Sequence, residues 1–233
     1  MAQDSEVMNV ASETTSSQDF DSMPVSAEIR EMKQWVIDSR DNHKLPFILI
    51  DKINAKVYLF NYAGQLQGAA PALLGSARGD HTIPDIGNRS LSEIGAEDRI
   101  TPAGRFVSSL SYDMNYKQIL VLDDAQALSL HPVVKGTPAE QRAERLQSST
   151  PQDNRISFGC INVPVQFFSD AVSPAFAGTN GIVYILPESS SMHTLFGMDK
   201  RQNDVSGTNR SNNPLLNLSA KGKGQNNASG TNR

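Results

Sequence analysis

Arg155-Ile156-Ser157-Phe158-Gly159-Cys160-Ile161-Asn162 carries the only cysteine in the chain. The glycine before it lets the backbone adopt conformations that a Cβ forbids and lets another chain approach closely. An apolar stretch precedes the glycine, and Val165, Phe168 and Val172 follow at helical spacing from a start near Pro164. The expected local structure is therefore a strand, a tight turn and a helix, the setting in which nucleophiles are commonly presented. Taken alone the pattern is weak, because a free cysteine is more often a small buried hydrophobe. A partner base decides between the two roles.

Four histidines are available. His43 and His81 stand beside Asn42 and Asp80 in polar, loop-like stretches, and His193 lies past the final apolar run. His131 differs, because it ends the apolar run 127–130. A histidine at a strand end is commonly a satisfied structural residue. Within hydrogen-bond reach of Cys160 it becomes something else, a base that takes the thiol proton and holds the thiolate at neutral pH.

Outward from this pair, β-branched and aromatic runs at 47–50, 57–60, 70–74, 106–110, 119–122 and 182–186 read as strands. Gly64, Gly75, Gly79, Gly87, Gly104 and Gly181 punctuate them, which points to a mainly β domain. Ser26 is placed to cap a helix whose Ile29, Met32 and Val36 share one face. Thr137-Pro138-Ala139-Glu140 has the form of a capping box leading into a helix over 141–146. Residues 1–25 hold five acidic side chains and no basic ones, a composition expected of a disordered arm. Residues 198–233 turn to Asn, Ser and Gly and repeat Ser-Gly-Thr-Asn-Arg at 206–210 and 229–233, as a flexible tail does. The folded domain is expected over 26–197.

The bulk numbers exclude several classes. A net charge of −4 and 6% aromatic content give no footprint for nucleic acid. One cysteine allows neither an intrachain disulfide nor a cysteine-based zinc cluster. There is no phosphate-binding loop, no tight cluster of metal ligands and no apolar run long enough to span a bilayer, so no cofactor, metal or membrane span is expected.

The segment resembles the catalytic signature of the L,D-transpeptidases, the YkuD-like domain, in which a histidine is followed by a Ser/Thr-His-Gly-Cys-x-Asn element. Here the elements are His131 and Ser157-Phe158-Gly159-Cys160-Ile161-Asn162. The likeness extends to Phe47-Ile48-Leu49-Ile50-Asp51-Lys52, Lys56-Val57-Tyr58-Leu59-Phe60, Thr101-Pro102-Ala103-Gly104-Arg105-Phe106 and Val183-Tyr184-Ile185-Leu186-Pro187, covering roughly residues 45–188. It implies a β-sandwich-like catalytic domain with a few short helices, acting on donor and acceptor peptidoglycan stem peptides. By similarity, Cys160 attacks the third residue's carbonyl, expels the terminal D-alanine and holds the peptide as a thioester that an amine resolves. His131 is then the general base, its ring oriented through the backbone carbonyl at Pro132. Backbone amides around Phe158, Gly159 and Cys160 are the candidate oxyanion donors, and Ser157 and Asn162 shape the turn.

Three departures from the pattern stand out. Phe158 replaces the histidine before Gly-Cys, Pro132 replaces a small residue, and the gap from His131 to Cys160 is longer than in the family. The added segment within 132–156 has two readings, a wall over the cleft or an inert surface excursion, since inserted loops are thermodynamically cheap. Arg155 is a weak candidate to meet substrate carboxylates, as are Arg142 and Arg145, although structural or solvated roles are commoner for such charges. Three functions remain open: a transpeptidase, an L,D-carboxypeptidase or other hydrolase on the same thioester path, and a catalytically idle wall-binding module. A peptidoglycan substrate implies the periplasm or cell envelope, whereas 1–17 is polar and shows no export signal. A leader removed from, or misassigned in, the chain would reconcile the two. Oligomeric state is not legible.

Overall fold

The computed structural model describes residues 20–199. The arm expected over 1–25 falls outside that range up to residue 19, as does the tail expected over 198–233 from residue 200 onward. Within the arm's last residues, Phe20 opens a 3₁₀ turn and is buried against the rings of Tyr58 and Phe60.

Among the described residues ten strands are formed. β1 (Phe47–Asp51), β2 (Lys56–Phe60), β3 (Leu66–Pro71), β5 (Gly104–Tyr112), β6 (Gln118–Asp123), β7 (Leu128–Pro132), β9 (Ile161–Val163) and β10 (Gly181–Ile185) make one mixed sheet. Its order is β3-β2-β1-β10-β5-β6-β7-β9, with parallel pairs at β1/β10 and β7/β9. The short β4 (Leu74–Gly75) and β8 (Arg155–Ser157) pair separately. Pro71 has no N–H to continue a ladder, and the expected strand 70–74 is split there between β3 and β4.

β1 and β10 are buried along their whole length, as the unbroken apolar runs require of strands covered on both faces. Alternation sorts their side chains. Phe47, Leu49, Ile182 and Tyr184 face one cluster, with Ile29, Met32 and Val36 of α1 (Ala27–Ser39), while Ile48, Ile50, Val183 and Ile185 face the other. Ser26 accepts the N–H of Ile29 at the helix start, and its hydroxyl also donates to Asp51. Each of the three fully buried α1 side chains contributes about 1.5–3 kcal/mol.

β5 turns the corner of the sheet. Ser108 and the residues before it pair with β10, whereas Ser109 to Tyr112 pair with β6. The inner faces of both halves thereby meet in one core, where Ile48 and Leu59 share a cluster with Leu120, Leu130 and Ile161. The fold is mainly β and sandwich-like, with short helices at its margins. These are α2 (Arg142–Gln147), α3 (Val165–Phe167), α4 (Ser173–Phe176) and α5 (Met192–Phe196). A π-helical turn joins α3 to α4, so 165–176 is continuous helix over the core.

Two expectations need correction. Glu140 does accept the N–H of Thr137, but the box caps a 3₁₀ turn, and Gln141 in a left-handed conformation separates that turn from α2. After Cys160 the chain forms β9 before any helix, so the turn joins two strands. Among the described residues no helix is long and apolar enough to cross a membrane.

Candidate active site

The parallel register of β7 and β9 closes the long sequence gap between His131 and Cys160. Leu130 pairs with Ile161 and His131 with Asn162. Leu128, Leu130, Ile161 and Val163 point into the core. With a period of two, Ser129, His131, Cys160 and Asn162 must share the opposite face.

The His131 Nδ1 lies 2.9 Å from the Pro132 carbonyl. A carbonyl only accepts, so Nδ1 carries the hydrogen and Nε2 is left for Cys160, to which the ring is hydrogen-bonded. Proline at 132 removes a donor and keeps this acceptor. The half-buried Cys160 Sγ sits 3.5 Å from the Ser129 hydroxyl, a donor to sulfur, and 3.4 Å from the Ala127 carbonyl, which accepts the thiol proton. Burial opposes the thiolate, but the hydrogen bond and charge of His131, with Ser129, outweigh it and hold the thiol below its ordinary value. Burial likewise opposes the imidazolium, and Cys160 with the Pro132 carbonyl outweighs that, raising His131. Both shifts favour a thiolate–imidazolium pair.

The turn is fixed from three directions. Ser157 accepts the N–H of Gly159 at 3.1 Å and donates to the Cys160 carbonyl at 2.7 Å. Thr101, buried, donates to the Gly159 carbonyl at 2.7 Å and accepts the N–H of Gly75. Gly159 itself has φ +136°, and a Cβ there would lie 2.9 Å from the Ile100 carbonyl oxygen, so glycine is required. Asn162, fully buried, donates to the Cys160 carbonyl at 3.3 Å and accepts from Arg142 at 2.9 Å.

Arg142 comes from the inserted segment, and Glu140 of the same segment holds its guanidinium. Its positive charge acts on His131, opposing protonation. The insertion thus reaches the turn through Arg142. Arg145 is occupied by the Glu140 and Asp153 carbonyls within the insertion. Arg155 is taken up elsewhere: it grips Glu188 and the Lys52 carbonyl, with its side chain 8% exposed. Rather than standing free for a substrate carboxylate, it belongs to a buried ionic knot.

In that knot Lys52 donates to Asp80, to the Gly79 carbonyl and to the Thr101 carbonyl. Asp80 also accepts from the Glu188 amide and from the amides and hydroxyls of Ser189 and Ser190. Burial works against the Asp80 carboxylate, but these donors hold it well below the usual carboxylate range. The knot therefore ties down Thr101, which ties down Gly159. Thr101 and Ser129 were legible only as parts of larger runs, since nothing local marks a lone hydroxyl as a clamp.

Arg99 stacks over the Phe158 ring with Cζ 4.0 Å from the centroid. The ring lines a slot that also contains Gly159 and Cys160. Of the other histidines, His193 pairs with Glu31 and Asp199, and His81 lines a wider cleft next to the slot. His43 sits in the turn after α1. Among the described residues no group of three or more His, Cys, Asp or Glu side chains is placed to hold a metal.

No protein-family model and no curated protein matches the sequence. Among solved structures, the chain is similar to the helical cell shape determining protein Pgp2 from Campylobacter jejuni. The K307A form aligns at 11% identity and TM-score 0.44 over 79% of this chain, and the unsubstituted form at 13% and 0.42 over 68%. This chain spans 66% and 56% of those two chains. It is also similar to the catalytic domain of an L,D-transpeptidase from E. faecium, at 17% identity and TM-score 0.31 over 61% of this chain and 98% of that one. At such identities and TM-scores nothing of those proteins' activities transfers to this chain.

Proposed function

We propose that residues 26–197 form a cysteine acyltransferase of the L,D-transpeptidase type, acting on peptidoglycan stem peptides in the periplasm or cell envelope. The observation that carries this reading is the Cys160–His131 pair brought together by the β7/β9 register, with Nδ1 pinned by the Pro132 carbonyl at 2.9 Å, which leaves Nε2 for the thiol. The thiolate attacks the carbonyl of the donor peptide, and His131 passes its proton to the departing amine. The C–N bond breaks and a thioester remains on Cys160. An acceptor amine then attacks the thioester, gives a proton back to His131 and releases the thiolate.

The tetrahedral oxygen needs donors, and Ser157 already occupies the Gly159 N–H. The amides of Phe158 and Cys160 are the remaining candidates. A histidine before Gly-Cys is not required for these steps, because His131 supplies the acid and base.

A carbapenem, a strained β-lactam that acylates such thiols, tests the reading directly. The expected result is one covalent adduct by mass on the wild-type chain and none on Cys160→Ala. A folded wild-type protein without adduct overturns it, leaving the idle wall-binding module. Disaccharide tetrapeptide then separates the two enzymes: cross-linked dimer marks a transferase, and tripeptide alone marks a hydrolase.

A further inference from the structure

The end of α5 is tied down through one imidazole. His193 Nε2 lies 2.7 Å from a Glu31 carboxylate oxygen, and Nδ1 lies 3.0 Å from Asp199. Glu31 belongs to α1, whereas Asp199 follows α5 in the chain. The backbone folds back between them at Gly197, which caps α5 in a left-handed conformation, φ +64°. A Cβ there would meet nothing within 4 Å, so glycine serves for its backbone freedom, as a hinge does. The fold-back seats Met198, buried, in the cluster of Val36, Tyr184 and Met192, with Trp35 and Phe196 packed against it. Phe196 lies edge-on to Tyr184 at 6.0 Å between centroids. The Tyr184 hydroxyl donates to Asp41, which holds Arg105 in the wall of the wider cleft. The C-terminal edge of the domain thus backs that wall.

A carboxylate only accepts, so both contacts hold together only while both ring nitrogens donate. The imidazolium has two N–H groups and the neutral ring has one, whose unprotonated nitrogen then turns a lone pair toward a carboxylate. Other charges of α1 are engaged elsewhere: Arg30 with the Asp21 and Met23 carbonyls, Lys33 with Asp21, and Asp38 with Gln34. Glu28, one turn before Glu31, adds charge of the same sign as the two carboxylates. From β5 and β10, Arg105 and Tyr184 are bound to Asp41. The hydrogen bond to Asp199 and the charge of Glu31 raise His193 above its ordinary value.

We propose that His193 is a proton-operated latch. Protonated, it locks α5 onto α1 and closes the fold-back over 197–199; deprotonated, it releases the fold-back and unseats Met198. The Asp199 arm is the one that opens, because α5 keeps Met192 and Phe196 at the apolar cluster whichever arm is lost. The latched state has the higher pKa, so the proton's contribution is fully present below the released value of about 6.5 and is lost as pH rises through the raised one. Each unit separating the two values shifts the latch equilibrium about tenfold. Nothing in the latch depends on the chemistry of Cys160.

Methionine oxidation reads the latch in the full chain. Met114 is 98% exposed and Met32 is fully buried, so the two calibrate accessibility within one molecule. The protein is treated with dilute hydrogen peroxide between about pH 5 and 8.5, and the sulfoxide at each methionine is counted by peptide mass. Oxidation of Met198 relative to Met114 is expected to rise at least about threefold across that range, with a midpoint above the ordinary histidine value of about 6.5. In His193→Ala the ratio is expected to stand at its high value at every pH. Asp199→Ala, which removes the other half of the bond, is expected to give the same flat, high profile. Met32 stays protected in all three proteins, which separates release of the latch from unfolding. A wild-type ratio that does not change with pH, or the same rise in His193→Ala as in wild type, overturns the latch.

Discussion

Two clusters of charged and protonatable groups, one around Lys52 and one at Cys160, are held in opposite ways. In the knot of Lys52, Asp80, Glu188 and Arg155 every charge faces an opposite charge and additional donors or acceptors, and the Lys52 side chain is fully buried. At Cys160 and His131 a single proton has alternative resting places, on the sulfur beside the Ala127 carbonyl or on Nε2. The first arrangement fixes geometry and the second leaves chemistry possible. A connecting chain runs from Lys52 through the Thr101 carbonyl, and from the Thr101 hydroxyl to Gly159. The rigid region thus positions the reactive one.

Breaking the knot has the largest expected effect. Lys52→Met leaves the buried Asp80 carboxylate without its counter-charge, at a cost of about 3–5 kcal/mol, read as a lower urea midpoint. The pH dependence follows from Asp80, whose carboxyl is held well below the usual range. A depressed folded pKa contributes stability that is complete above the unfolded value, about 3.9, and drains as pH falls through the folded one. Acid unfolding is therefore expected to flatten in Asp80→Asn over that range.

Cutting the connecting chain comes next. Thr101→Val keeps the shape and removes the hydroxyl that serves Gly159 and Gly75, costing about 1–3 kcal/mol in urea unfolding. Carbapenem acylation is expected to slow several-fold in the same variant. Arg142→Gln, which weakens the hydrogen bond to the buried Asn162, should cost about 1–2 kcal/mol. Because Arg142 opposes protonation of His131, its removal is expected to move the His131 titration upward, which NMR of the imidazole reads directly.

Much of the site was legible because its determinants are local. Gly159 beside Cys160 and the apolar run ending at His131 needed only neighbouring residues to interpret, and Ser26 announced α1 in the same way. The strands of the centre showed as unbroken apolar runs because both their faces are covered. The three-residue strand β9 did not show, since so short a run carries no period. Its pairing partner, Leu130, is far away in the chain. Arg155 looked available to a ligand for the same reason: its partner Glu188 is a long-range contact invisible in sequence. The role of Arg142 depended on where the insertion folds back, and its hydrogen bond to Asn162 answers that.

The direct test of the central claim is the pH profile of Cys160 alkylation by iodoacetamide, compared between wild type and His131→Gln. Because Cys160 is the only cysteine, the modified mass reports one site. The wild-type rate is expected to rise with a midpoint below the ordinary thiol value of about 8.5, and His131→Gln to move that midpoint upward. Superimposable profiles with an ordinary or higher midpoint would contradict the pairing of Cys160 with His131.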